Sequence, residues 1–128
     1  MKTPNWKPEL LTTIKGIDYT LHFKPEYNIS AKEHFMGDCD WSLDQYEAIK
    51  NCYWFSATLQ ATKNGIELAN EYLGGNCYKN KIDVMRNNLA DTLSGYAIDM
   101  INECRPQAEK ELKQQVMKTK QILLDLQA

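Results

Sequence analysis

The sequence predicts an α+β domain: a small antiparallel sheet of at least three strands packed against C-terminal helices. Three observations lead there. Ile17, Tyr19, Leu21 and Phe23 alternate with Asp18, Thr20 and His22, the period-two pattern of a strand with one apolar and one polar face. Phe55, Ala57, Leu59 and Ala61 alternate with Ser56, Thr58 and Gln60, and Ile66 and Leu68 resume the alternation beyond Lys63-Asn64-Gly65. Asn-Gly tolerates the positive φ angles of a type I′ turn, so Tyr53 to Tyr72 reads as a hairpin. From Ile82 the period changes: Ile82, Met85, Leu89, Leu93, Tyr96, Ala97, Met100, Ile101 and Cys104 follow at three- and four-residue steps, the stripe of an amphipathic helix.

The first strand begins after Gly16 and ends at Lys24-Pro25, because proline cannot donate to a ladder. Upstream, Pro8-Glu9-Leu10-Leu11 fits either a short helical turn or a lead-in strand. Asn28 to Trp41 shows no period and reads as irregular. Ser42-Leu43-Asp44-Gln45 then has the form of a capping box, followed by a short helix with Leu43, Tyr46 and Ile49 on one side and an end near Asn51. Gly74-Gly75 should stop the hairpin and open a loop. Pro106 disfavours helical geometry at Arg105, which predicts a break or kink there. The remaining stripe of Ala108, Leu112, Val116, Leu123 and Leu126 predicts a long C-terminal helix over about 107–126, roughly 30 Å in length.

The 128 residues suit one domain, 1–128, able to bury a sizeable core. Fifteen basic and seventeen acidic side chains give a net charge of -2, too balanced for a nucleic-acid groove. The longest apolar runs, such as Ile122-Leu123-Leu124, are far short of a membrane span, and the N-terminus lacks an apolar signal core, so a cytosolic location is expected. Cys39, Cys52, Cys77 and Cys104 are separated by 13, 25 and 27 residues, without the close pair that aims two ligands at one zinc ion. They read as free, partly buried thiols. Neither a metal nor a cofactor is expected.

Three constellations deserve weighing. Cys77 follows Gly74-Gly75 and would serve as a nucleophile if a base held it as thiolate; His22 and His34 are the histidines present, and no spacing ties either to it. Glu33, Asp38, Asp40, Asp44 and Glu47 form the densest acidic stretch. These acids fit a helix N-terminus, where negative charge meets the macrodipole, or a phosphate-like face for a basic partner; EF-hand spacing is absent. Trp41 lies among them and suits core packing or an interface anchor better than base stacking, since Asp40 and Asp44 would repel phosphates. Finally, Leu112, Val116, Leu123 and Leu126 would suit a satellite of the core or a pairing of two chains, which leaves a homodimer open.

Gly37-Asp38, Tyr53-Trp54-Phe55-Ser56-Ala57-Thr58, Asn64-Gly65-Ile66-Glu67-Leu68, Leu73-Gly74-Gly75-Asn76-Cys77-Tyr78 and Gly95-Tyr96-Ala97-Ile98-Asp99-Met100-Ile101 together resemble small uncharacterised proteins of bacteriophages and mobile elements. The resemblance spans residues 28–111, with the Leu-Gly-Gly-x-Cys-Tyr run as its most recognisable piece. It implies a small protein that binds and blocks host machinery, including CRISPR effectors and restriction enzymes, in the host cytoplasm. Together with the missing catalytic motifs, this leads to the expectation of a non-enzymatic protein. Its partner would be a host protein or nucleoprotein complex, met through Asp38, Asp40, Trp41, Asp44 and Glu47, without direct nucleic-acid or membrane contact. The alternatives are a small thiol enzyme centred on Cys77 and a module that dimerises through its C-terminal helix.

Overall fold

The structure is a computed structural model that describes residues 1–85 and 93–128. Four strands, β1 (Glu9–Ile14), β2 (Ile17–Lys24), β3 (Tyr53–Lys63) and β4 (Ile66–Tyr78), form one antiparallel sheet in the order β1-β2-β3-β4. A short helix α1 (Leu43–Glu47) lies between β2 and β3, and α2 (Lys81–Val84) and α3 (Leu93–Gln127) follow β4. The architecture is α+β, as the two periodicities predict. The expected stripe position Leu89 lies outside the described residues.

Residues 9–14 are thus a lead-in strand. It joins β2 through Lys15-Gly16, where φ is +52° and +77°, and β3 joins β4 through Asn64-Gly65 at +50° and +77°. Both are two-residue turns with positive φ at each central position, the form whose twist matches paired strands. Only the second carries the Asn-Gly signature. Lys15 takes the left-handed conformation because Ile14 and Ile17 pair directly across the turn.

One sheet face is sealed by α3. Ile17, Tyr19, Leu59, Ala61 and Leu68 meet Met100, Ile101, Cys104 and Ala108, and a second cluster joins Leu21, Phe55, Ala57 and Val84 with Trp6, Phe23, Tyr53 and Tyr78 around it. Tyr19, Leu21, Phe55, Ala57, Leu59 and Ala61 are fully buried. Each large apolar side chain so buried contributes about 1.5–3 kcal/mol, which is why the alternation in β2 and β3 decides the fold. Trp6, Phe23 and Phe55 close one end of this core with edge-to-face ring contacts of 5.3–5.8 Å between centroids.

Three expectations need correction. The hairpin does not stop at Gly74-Gly75: β4 runs through both glycines to Tyr78. Phe55 pairs with Asn76 and Ala57 with Leu73, so the two glycines together oppose Ser56 in a bulge. Gly75 adopts φ +69°, and a side chain on Gly74 would come within 2.8 Å of the Glu26 carboxylate and the Tyr72 hydroxyl. Asn76 stabilises the bulge by donating from Nδ2 to the Leu73 and Phe55 carbonyls at 2.8 and 3.2 Å. Residues 28–41 are also not irregular throughout, since Glu33–Asp38 form a π-helical segment.

The third correction concerns Pro106. No break occurs at Arg105, and α3 continues through the proline for 35 residues, about 52 Å. Pro106 and Asn102, whose carbonyl loses its usual donor, both lie on the exposed side of α3. Water can therefore hydrate that carbonyl, while Ala97, Met100, Ile101, Cys104 and Ala108 hold both sides of the proline against the sheet. The helix then outruns its support: from Val116 to its end every residue is exposed. Among the described residues, no helix is long and apolar enough to cross a membrane. Replacing the exposed Pro106 restores an amide donor where nothing is crowded, so Pro106→Ala should raise stability by ~1–3 kcal/mol. Urea unfolding checks this; a destabilised variant would show that the proline is required by the packing.

Candidate functional site: an acidic segment on an aromatic platform

The chain leaving β2 crosses to the sheet face opposite α3 and covers Trp54 there. Trp54 stands on the other face from Phe55, as strand alternation requires, yet is only 7% exposed. Its indole Nε1 donates to the Ile29 carbonyl at 3.2 Å. His34 and Phe35 lie over it with ring centroids 5.3 and 5.7 Å away, and Trp41 sits on Phe35 at 4.5 Å. The wide π turn makes this possible. The Cys39 amide donates to the His34 carbonyl and the Trp41 amide to the Phe35 carbonyl, at 3.0 and 2.8 Å, which folds Trp41 back over the segment's start. Ser30 Oγ accepts from the Glu33 amide and steadies that start.

The acids ride on this platform. Asp38, Asp40, Asp44 and Glu47 are exposed and Trp41 is half-buried. Asp40 holds φ +55°, turning the chain from the π segment toward α1. The capping box forms as expected: the Gln45 amide donates to Ser42 Oγ at 3.2 Å, and the Ser42 amide donates to Gln45 Oε1 at 2.8 Å. Asp44 in the first turn of α1 also meets the helix dipole. Glu47 pairs with Lys50 at 3.7 Å on the surface, whereas no ion pair among the described residues engages Asp38, Asp40 or Asp44. Between Glu33 and Glu47 the chain has five acids and neither lysine nor arginine. The five sequence-predicted residues are therefore gathered on one short surface stretch, with an aromatic floor that had no sequence signal beyond the presence of Phe35 and Trp54.

Cys77 presents a different chemistry. It shares a groove of about 500 Å³ with His34, Phe35, Gly74, Gly75 and Tyr96. His34 Nε2 also lies 3.8 Å from Cys39 Sγ. Burial pushes the Cys77 thiol up to about 11, with Cys52 beside it adding to the effect. At neutral pH the group is a thiol, the poorer nucleophile. Cys39 is exposed, Cys52 half-buried and Cys104 buried, all of them free thiols. Among the described residues no group of three or more His, Cys, Asp or Glu side chains is placed to hold a metal ion.

A buttress that the sequence did not announce holds this end of the sheet. The Glu26 carboxylate accepts from the Gly75 amide at 2.9 Å, the Tyr72 hydroxyl at 3.0 Å and the Asn28 amide at 3.0 Å. Burial by itself would raise the Glu26 pKa, but the Asn28, Gly75 and Tyr72 donors outweigh it and the net shift is downward. The clamp joins the bulge to the turn that starts the acidic segment. Two of its partners, Tyr72 and Gly75, lie 46 and 49 residues away, beyond any local pattern. No protein-family model, curated protein or solved structure matches the chain.

Two measurements test this geometry. A carboxylate whose folded pKa is depressed stabilises fully above its unfolded value and loses that contribution as pH falls through the folded one. Glu26→Gln should accordingly cost ~1 kcal/mol at neutral pH, because the site is partly hydrated, with the gap closing at an acidic pH below the ordinary carboxylate range. Urea titrations at the two pH values check this, and a gap independent of pH would remove the charged clamp. Alkylation followed by mass spectrometry at neutral pH should label exposed Cys39 first and Cys77 on the order of tenfold more slowly. Preferential labelling of Cys77 would restore the nucleophile reading.

Proposed function

We propose that this chain is a non-enzymatic binding protein that occupies a basic site on a host protein or nucleoprotein complex through Asp38, Asp40, Trp41, Asp44 and Glu47. The observation that carries this reading is a set of exposed carboxylates, three of them without a cationic partner among the described residues, around a tryptophan seated on Phe35, which itself packs on buried Trp54. Exposed charges raise association rates and select partners of opposite sign, while a fixed aromatic anchor contributes affinity at low entropic cost. The platform beneath Trp41 supplies that fixity. The raised Cys77 pKa weighs against the thiol-enzyme alternative.

The identity of the partner rests on the resemblance to small phage and mobile-element proteins. On that basis the target is a host defence complex, such as a CRISPR effector or a restriction enzyme, met in the host cytoplasm. Its surface would be a lysine- or arginine-lined groove that ordinarily receives nucleic acid, for which the carboxylates substitute.

Capture of purified CRISPR effectors and restriction enzymes by the immobilised chain tests the reading. Binding should fall on the order of tenfold or more in an Asp38→Lys, Asp40→Lys, Asp44→Lys triple variant, and should weaken as salt is raised past the physiological range. Trp41→Ala should reduce residence time more than association rate. Equal capture by the charge-reversed chain would eliminate the acidic surface.

A further inference from the structure

We infer that the free end of α3 is a self-association surface that pairs, antiparallel and two-fold, with the same segment of a second copy. The inference does not depend on the acidic segment. That segment packs on Trp54 near the start of β3, whereas the free helix end lies by Lys63 and Asn64 at the other end, roughly 33 Å away along the strand.

The exposed apolar content is the first argument. Val116, Met117, Ile122, Leu123, Leu124 and Leu126 are between 45% and 78% exposed. At roughly 100 Å² each, they expose about 600 Å² of apolar surface around the free helix, with Val116, Leu123 and Leu126 sharing one face. Their spacing is the second. Leu112, Val116, Thr119, Leu123 and Leu126 follow in steps of four, three, four and three, the seam of a paired helix. Thr119 does not disturb it, since its hydroxyl already donates to the Gln115 carbonyl at 2.9 Å and leaves the methyl for the seam.

A second copy fits this seam better than an unrelated occupant because the segment is complementary to itself. With the two-fold axis near residue 121, Val116 of one copy faces Leu126 of the other, and Thr119 faces Leu123. Every seam position from 116 to 126 is then matched, as an isologous contact requires. Each helix end also reaches the other copy's groove of about 300 Å³, lined by Lys63, Asn64, Ile66, Leu112 and Val116, where Ile66 is half exposed. The antiparallel arrangement sends the two sheets to opposite ends, whereas a parallel one would bring them side by side. Covering the seam in both copies removes roughly 1,000 Å² from water, the low end of specific interfaces, so the pairing is concentration-dependent. The Lys120 side chains of both copies approach the axis, so added salt strengthens the pair by screening them.

Light scattering and sedimentation of the full chain over a concentration series test the inference. The mass should rise from 14.8 kDa in dilute solution toward about twice that value, and the rise should come at lower concentration as salt increases. Leu123→Glu, and separately Leu126→Glu, should hold the chain at the monomer mass, with circular dichroism showing that α3 remains folded. A chain that stays monomeric throughout, or a dimer unaffected by both substitutions, overturns the inference. Retention on anionic vesicles by a chain that never dimerises would assign the surface to membranes instead.

Discussion

Burial of one row of side chains from β2 and β3 beneath α3 is the constraint on which the rest depends. Tyr19 and Leu21 from one strand, and Phe55, Ala57, Leu59 and Ala61 from the next, leave water completely, and Met100, Ile101, Cys104 and Ala108 cover part of that layer. At about 1.5–3 kcal/mol for each large side chain, this layer exceeds the local preferences it overrides. Pro106 remains inside a helix for this reason, and Lys15 accepts a left-handed turn for a similar one. The same constraint specifies what stays outside. Polar partners in the alternation face the opposite side, where the 28–41 segment covers Trp54, and the helix continues past the point where the sheet can support it.

Polar contacts then organise what the core leaves open. Gly74-Gly75 lets β4 continue while bending it, Asn76 satisfies the carbonyls that the bulge frees, and Glu26 binds the bulge to the turn after β2. That turn leads into the π segment, so the clamp and the aromatic platform are successive parts of one support. A surface loop with this backing loses less entropy on binding than an unsupported one, which is the physical reason to regard an acidic stretch of this kind as a recognition face. The charge alone would carry much less weight, since carboxylates near a helix N-terminus already have a local use at Asp44.

Most of the fold was readable from the sequence because its decisive elements are periodic. The alternation of 17–23 and 55–61, the Asn64-Gly65 turn and the Ser42/Gln45 cap each correspond to an element in the structure. What was misread depends on distant partners. Gly74-Gly75 resembles a stop signal unless Glu26, Tyr72 and Ser56 are known to meet it, and Pro106 resembles a break unless the sheet holds both flanks. The π segment escaped because its Phe35–Trp41 and His34–Trp54 contacts follow no short period. Candidate site residues were readable as a charge cluster; their aromatic floor was not.

Amide hydrogen exchange followed residue by residue in dilute solution tests the central account most directly. A shared interior predicts that 17–23, 55–61 and 97–108 exchange together and slowest, through global unfolding, while 116–127 exchanges early despite belonging to the same helix. Uniform protection along the whole of α3, or exchange in 97–108 as fast as at the helix end, would contradict it.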